Sequence, residues 1–168
     1  EGGLYLTEKN IQYANIALSQ NSYSYDGTAK APTLTVTFDG MTLKEGTDYT
    51  YKITSVDNLS SGTSAGTNAG KVTVTLTGKG NFSGTKSVDY TITKVALTIT
   101  SATVSDKTYD KKTTATVTDV VLDGFVGSES LVRGKDYTVS GKFSDVNIGK
   151  NKKVDVSVIL LDTVKAGN

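Results

Sequence analysis

The chain has no cysteine, no histidine and no tryptophan, and only one methionine and one proline in 168 residues. Without Cys no disulfide framework can form, and without Cys or His no thiolate or imidazole metal site can be built. General acid and base work would fall to Asp, Glu, Lys or Tyr. An excess of one charge is lacking too: 18 Lys and Arg stand against 17 Asp and Glu, and the densest basic cluster, residues 150–153, is small. Binding to nucleic acid or to an anionic membrane draws on clustered Lys and Arg, so neither partner is expected. No apolar run is long enough to insert in a membrane, and neither a signal peptide nor an anchoring motif is visible, so the chain reads as an internal piece of a longer protein.

What is present is alternation with period two, the mark of half-buried strands. Thr33-Leu34-Thr35-Val36-Thr37-Phe38 places Leu34, Val36 and Phe38 on one face and threonines on the other. Residues 71–77 repeat the arrangement with Val72, Val74 and Leu76, residues 89–93 with Tyr90 and Ile92, and the second half with Val154, Val156, Val158 and Leu160. Threonine on the wet face is itself a strand former, so pattern and propensity agree. Turn chemistry falls between these runs at Asp26-Gly27, Asp39-Gly40, Glu45-Gly46, Gly78-Lys79-Gly80 and Asp123-Gly124.

The chain also repeats itself roughly 80 residues downstream, in the same order. Tyr25-Asp26-Gly27-Thr28 returns as Tyr109-Asp110-Lys111-Lys112-Thr113, Gly46-Thr47-Asp48-Tyr49 as Gly134-Lys135-Asp136-Tyr137, and Asn68-Ala69-Gly70-Lys71 as Asn147-Ile148-Gly149-Lys150. Two modules result, at residues 13–94 and 95–168, with residues 1–12 as a leader or the tail of a preceding module. With no helical pattern to cover a sheet, the expected fold is all-β, two tandem immunoglobulin-like β-sandwiches. The competing fold is a β-grasp, whose helix would have to come from residues 57–68 or 123–133. The alternation of Tyr90-Thr91-Ile92-Thr93-Lys94-Val95-Ala96-Leu97-Thr98-Ile99 predicts one strand running from the first module into the second, a stiff junction. The second module stops where the first adds a final strand, residues 85–93, so an unpaired sheet edge is expected near the C-terminus.

These motifs in this order resemble the MBG and YDG-type repeats of bacterial surface proteins. The first module, with Tyr25-Asp26-Gly27-Thr28, Glu45-Gly46-Thr47-Asp48-Tyr49 and Gly78-Lys79-Gly80-Asn81-Phe82, is similar to both, and the second, with Lys107-Thr108-Tyr109-Asp110 and Gly134-Lys135-Asp136-Tyr137, is closer to the YDG type. The resemblance implies a tandem repeat region in an extracellular or cell-surface protein, an adhesin, whose partners are its neighbouring repeats. It implies no catalytic site and no cofactor. The second module departs from the pattern at Lys111, where the naming glycine would sit, and a turn of different shape is expected there.

Functional residues are sought against that background. Asp26, Asp48, Asp110 and Asp136 could serve a glycosidase only if two of them faced one cleft, and their positions at turns and strand starts favour bonds to backbone N–H groups instead. Asp119, Asp123, Asp145 and Asn147 offer oxygen ligands for calcium without a recognised spacing. A Lys–Asn amide crosslink needs a buried Lys, whereas Lys52 and Lys142 alternate outward. Tyr25 and Tyr109 are assigned a structural role, capping the core. The alternative to a spacer is a binding module for host or plant glycan or extracellular matrix protein, with contacts from Tyr23, Tyr25, Asn58 and Asn68.

Overall fold

The computed structural model describes residues 7–55 and 66–168. Leu4, Tyr5, Leu6 and Asn58, with most of the 57–68 loop, lie outside them. The chain divides into two compact units, residues 1–94 and 95–168.

In the first unit β1 (Lys9–Asn10) leads into a 3-10 turn at Ile11–Tyr13, followed by β2 (Asn15–Leu18), β3 (Ser22–Ser24), β4 (Leu34–Phe38), β5 (Met41–Thr42), β6 (Tyr49–Ser55), β7 (Gly70–Gly78), β8 (Phe82–Ser83) and β9 (Thr85–Thr93). One sheet has the order β3-β9-β7-β6, a second β2-β4-β5, and β1 pairs with β8. The chain changes sheet between β2 and β3: β2 runs antiparallel to β4, and β3 parallel to β9. Both sheets send alternate residues into one core, in which Ile11, Val36, Val72, Val74, Leu76, Tyr90 and Ile92 are all but sealed from solvent. Threonines 73, 75 and 77 of β7 alternate with that buried row, and none of them is buried.

Within the segment read as a leader or the tail of a preceding module, residues 9–11 pack with the first unit. Lys9 and Asn10 pair with Phe82 and Ser83, and Ile11 is 0% exposed. The Asn10 side chain accepts from Gln12 N at 3.0 Å, capping the 3-10 turn that delivers Ile11 to the core.

The second unit holds β10 (Thr98–Val104), β11 (Thr114–Ala115), β12 (Val117–Asp123), β13 (Tyr137–Phe143), β14 (Val154–Leu160) and a single helical turn, α1 (Val164–Gly167). β10 pairs with β12, and β11-β13-β14 form the other sheet. Buried Ala115, Val117 and Tyr137 mark its smaller core. The molecule is therefore all-β and sandwich-like. Residues 123–133 form no helix, so they provide no β-grasp cover.

The predicted continuous junction strand is not formed. β9 ends at Thr93 and β10 begins at Thr98, and Val95 N donates to Asn168 O at 2.7 Å instead of to a sheet neighbour. Alternation in the sequence was sufficient for strands on either side, while the backbone of residue 95 had a different partner.

Candidate functional site

The repeated motifs build two kinds of loop, each made twice. In the first, Asp26 accepts from Thr28 N at 2.9 Å and from Thr28 Oγ1 at 2.6 Å, and the Lys30 ammonium closes an ion pair on its other oxygen. The hydrogen bond from Lys30, with those from Thr28, holds the Asp26 carboxyl down at about 2. In the second unit Asp110 accepts from Lys112 N at 2.9 Å and pairs with Lys107 Nζ at 2.8 Å, which lowers its pKa by the same physics. Lys107 also donates to the carbonyls of Lys112 at 3.0 Å and Thr114 at 2.9 Å, so the clamping lysine precedes the tyrosine here and follows it in the first unit.

The expected change of turn at Lys111 does not occur. Gly27 has φ 77° and Lys111 φ 63°, the same left-handed conformation. The Asp side chain and the lysine clamp hold the turn whether or not glycine occupies it. The tyrosines of the two copies do differ: Tyr25 is 6% exposed and caps the core, whereas Tyr109 is 53% exposed and does not.

The second loop precedes β6 and β13. Asp48 Oδ2 accepts from Lys44 N at 2.7 Å, and Asp136 Oδ2 from Val132 N at 2.9 Å. Main-chain bonds match as well: Asp48 N to Lys44 O and Asp136 N to Val132 O are both 2.8 Å, and Gly46 N to Tyr49 O and Gly134 N to Tyr137 O are both 2.7 Å. Asp136 is the more enclosed, 2% exposed, and its other oxygen accepts from Thr163 Oγ1 at 2.9 Å. The bond from Val132 N holds its carboxyl below the usual range. The tyrosine that follows is buried in both units, Tyr49 at 4% and Tyr137 at 7%.

Each of the four repeated carboxylates thus accepts from a backbone N–H of its own loop, as their turn positions imply. Of the calcium candidates, Asp123 accepts from Gly124 N at 2.8 Å, and Asp145 accepts from Asn147 N at 2.7 Å and pairs with Lys152. Among the described residues no group of three or more acidic side chains could hold a metal ion. Lys52 and Lys142 are exposed.

Of the proposed ligand contacts Tyr23, Tyr25 and Asn68 lie within the described residues, and none of the three is exposed. Tyr23 is half-buried with its ring edge-on to Tyr90, centroids 5.7 Å apart, and Tyr25 is buried, so the two do not form an exposed aromatic pair. Asn68 is half-buried in the turn before β7, and Asn58 lies outside the described residues.

The feature that the residue motifs did not reveal is a cavity of about 710 Å³ in the second unit, bordered by Val104, Asp106, Tyr109, Phe143, Asn147 and Val154. It lies between the Tyr109 loop and the start of β14. In the first unit β9 separates β3 from β7, and among the described residues no strand lies between residues 106–108 and β14.

Fold and loops together define a pair of successive all-β repeat units that share two loop designs. Residues 93–168 match the YDG domain family, and a YDG domain is found there. No curated protein and no solved structure matches the chain.

Proposed function

We propose that this chain is a non-catalytic spacer region of a bacterial cell-surface or secreted protein, an adhesin, in which an MBG-like repeat and a YDG repeat hold functional domains away from the cell. The observation that carries the reading is the duplication of both loops, each copy closed by a backbone N–H on its aspartate carboxylate: Thr28 N on Asp26 and Lys112 N on Asp110, Lys44 N on Asp48 and Val132 N on Asp136. Polar residues that could have formed a catalytic centre are spent twice on the same turns, an economy suited to a unit whose product is repetition. The partners are then neighbouring repeats of the same protein, and the location is extracellular.

Of the contacts assigned to a glycan- or matrix-binding reading, Tyr25 is buried and Tyr23 and Asn68 are half-buried. Among the described residues its exposed tyrosines are Tyr13, 75% exposed, and Tyr51 in the first unit and Tyr109 in the second. The test is a binding screen of the purified chain against a glycan array, mucin, fibronectin and collagen. A spacer gives no saturable binding at high micromolar concentration. Saturable binding lost on Tyr13→Ala or Tyr109→Ala would replace the spacer with an adhesive module.

A further inference from the structure

The first unit is closed by two strands that run the same way. β3 lies parallel to β9, with Ser22 beside Thr91, Tyr23 beside Ile92 and Ser24 beside Thr93. Main-chain bonds bracket the pair, Thr91 N to Asn21 O at 3.0 Å and Tyr25 N to Thr93 O at 2.9 Å, and Thr93 Oγ1 donates to Tyr23 O at 3.1 Å. Asn21 and Tyr25 face the ladder, so Tyr23, two residues from each, faces it as well. β9 is also the strand by which the chain leaves the unit, and β7 holds it from Thr85, against Thr77, to Ile92, against Gly70.

Side chains fasten the same two strands. The Tyr23 ring is edge-on to Tyr90, centroids 5.7 Å apart, and the Tyr90 hydroxyl donates to Lys30 O just past the turn that follows β3. Asp26, Thr28 and Lys30 close that turn, so the Asp26 loop also fixes the downstream end of β3.

We propose that β3 and β9 form a load-bearing pair, which carries tension drawn along the main chain through the first unit. A pull on the N-terminal side of one parallel strand and the C-terminal side of the other slides the two lengthwise. The bonds of a parallel ladder are evenly spaced, so all of them are strained together and none opens ahead of the rest. Tension enters this unit before β1 and leaves it after β9, which is the required sense. β1 is held by two paired residues and β2 by four, and their release leaves β3 as the next attachment on the loaded path. The Lys86 ammonium on Ala14 O adds a tie from β9 to the segment between β1 and β2. The resistance comes from strand direction, because the same contacts opened from one end yield one at a time. A spacer and an adhesive module both pass tension through their own backbone, so saturable binding of a glycan or matrix protein would leave this proposal standing.

The chain has no cysteine, so engineered pairs can carry the pulling handles in the whole protein. Thr7→Cys with Lys94→Cys loads β3 and β9 lengthwise. Ala29→Cys with Lys94→Cys pulls on the end of the pair where Ser24 lies beside Thr93, and opens it from there. All three positions are exposed. Rupture under load follows the unfolding barrier and not the equilibrium stability. Single-molecule force spectroscopy is therefore expected to give a rupture force several-fold higher for the first handle pair than for the second, with matching urea midpoints for the two. Tyr23→Pro, which removes a donor from the middle of β3, brings the lengthwise force down toward the other and leaves that one nearly unchanged. Thr93→Val removes only the Oγ1 bond to Tyr23 O and acts in the same direction by a smaller amount, which keeps the test intact if the proline variant does not fold. Equal rupture forces in the two directions overturn the proposal, as does a loss of force that is the same in both directions for these variants.

Discussion

Gly27 and Lys111 hold the same left-handed backbone, φ 77° and 63°, at the same place in two copies of one turn. Glycine adopts that conformation freely, while a side chain with a Cβ is strained there by about 1–2 kcal/mol. Lys111→Gly removes the strain and returns part of the gain as added freedom of the unfolded chain. The expected net effect is a stabilisation of residues 95–168 by about 0.5–1 kcal/mol, read from the midpoint of their unfolding in urea. Gly27→Lys shifts the first unit by a similar amount in the opposite direction.

Asp136 ties together the loop before β13 and the turn that follows β14, through Val132 N and Thr163 Oγ1. Asp136→Ala leaves the Val132 N–H without its partner in an enclosed place. The melting temperature of the second unit falls by several degrees, and exchange at the Val132 amide accelerates. Asp136→Asn, which keeps an acceptor, falls less. Asp48→Ala costs less than Asp136→Ala because Asp48 is only half-buried and has no counterpart of the Thr163 bond in its loop.

Acid weakens both units. Asp26, Asp89, Asp110, Asp136 and Asp145 all have their carboxyls held below the ordinary value of 3.8, Asp26 at about 2. A depressed pKa in the folded state adds stability that is complete above the unfolded value and is lost as pH falls through the folded one. Stability is therefore flat from neutral pH down to about 4 and declines between about 4 and 2 as these groups take up protons. Urea midpoints measured at intervals over that range give the curve. Asp26→Asn flattens its lower end for the first unit.

Val74 and Val156 occupy matching positions in β7 and β14, the first fully buried and the second half-buried. Truncation to alanine removes the same atoms but different amounts of buried surface. Val74→Ala costs about 2–3 kcal/mol, and Val156→Ala about half as much, in equilibrium unfolding of the respective units.

Much of the architecture was legible locally. The row Val72, Val74 and Leu76 is buried with threonines between, as its period predicts, because a strand's alternation is a property of the chain's own pleat. The bonds of Asp26, Asp48, Asp110 and Asp136 were legible for the same reason, since each partner N–H lies within four residues. The junction was misread because alternation continues through residues 94–97 whatever their backbone pairs with. The cavity was not legible from any residue that borders it. It depends on which strand lies between two others.

The sequence by itself determined the strands, the turns and the twofold repetition, all of which arise from interactions over a few residues. Tertiary structure alone decided what became of the tyrosines. Tyr49 and Tyr137 are buried in both units because each stands on a strand paired with its neighbour in the chain, β6 with β7 and β13 with β14. Tyr25 and Tyr109 share a motif and a turn, yet Tyr25 N donates to Thr93 O at 2.9 Å under the cover of β9, while among the described residues no strand pairs beside Tyr109. Burial of that ring is set by a segment nearly 70 residues away, and no local pattern can report whether such a strand arrives.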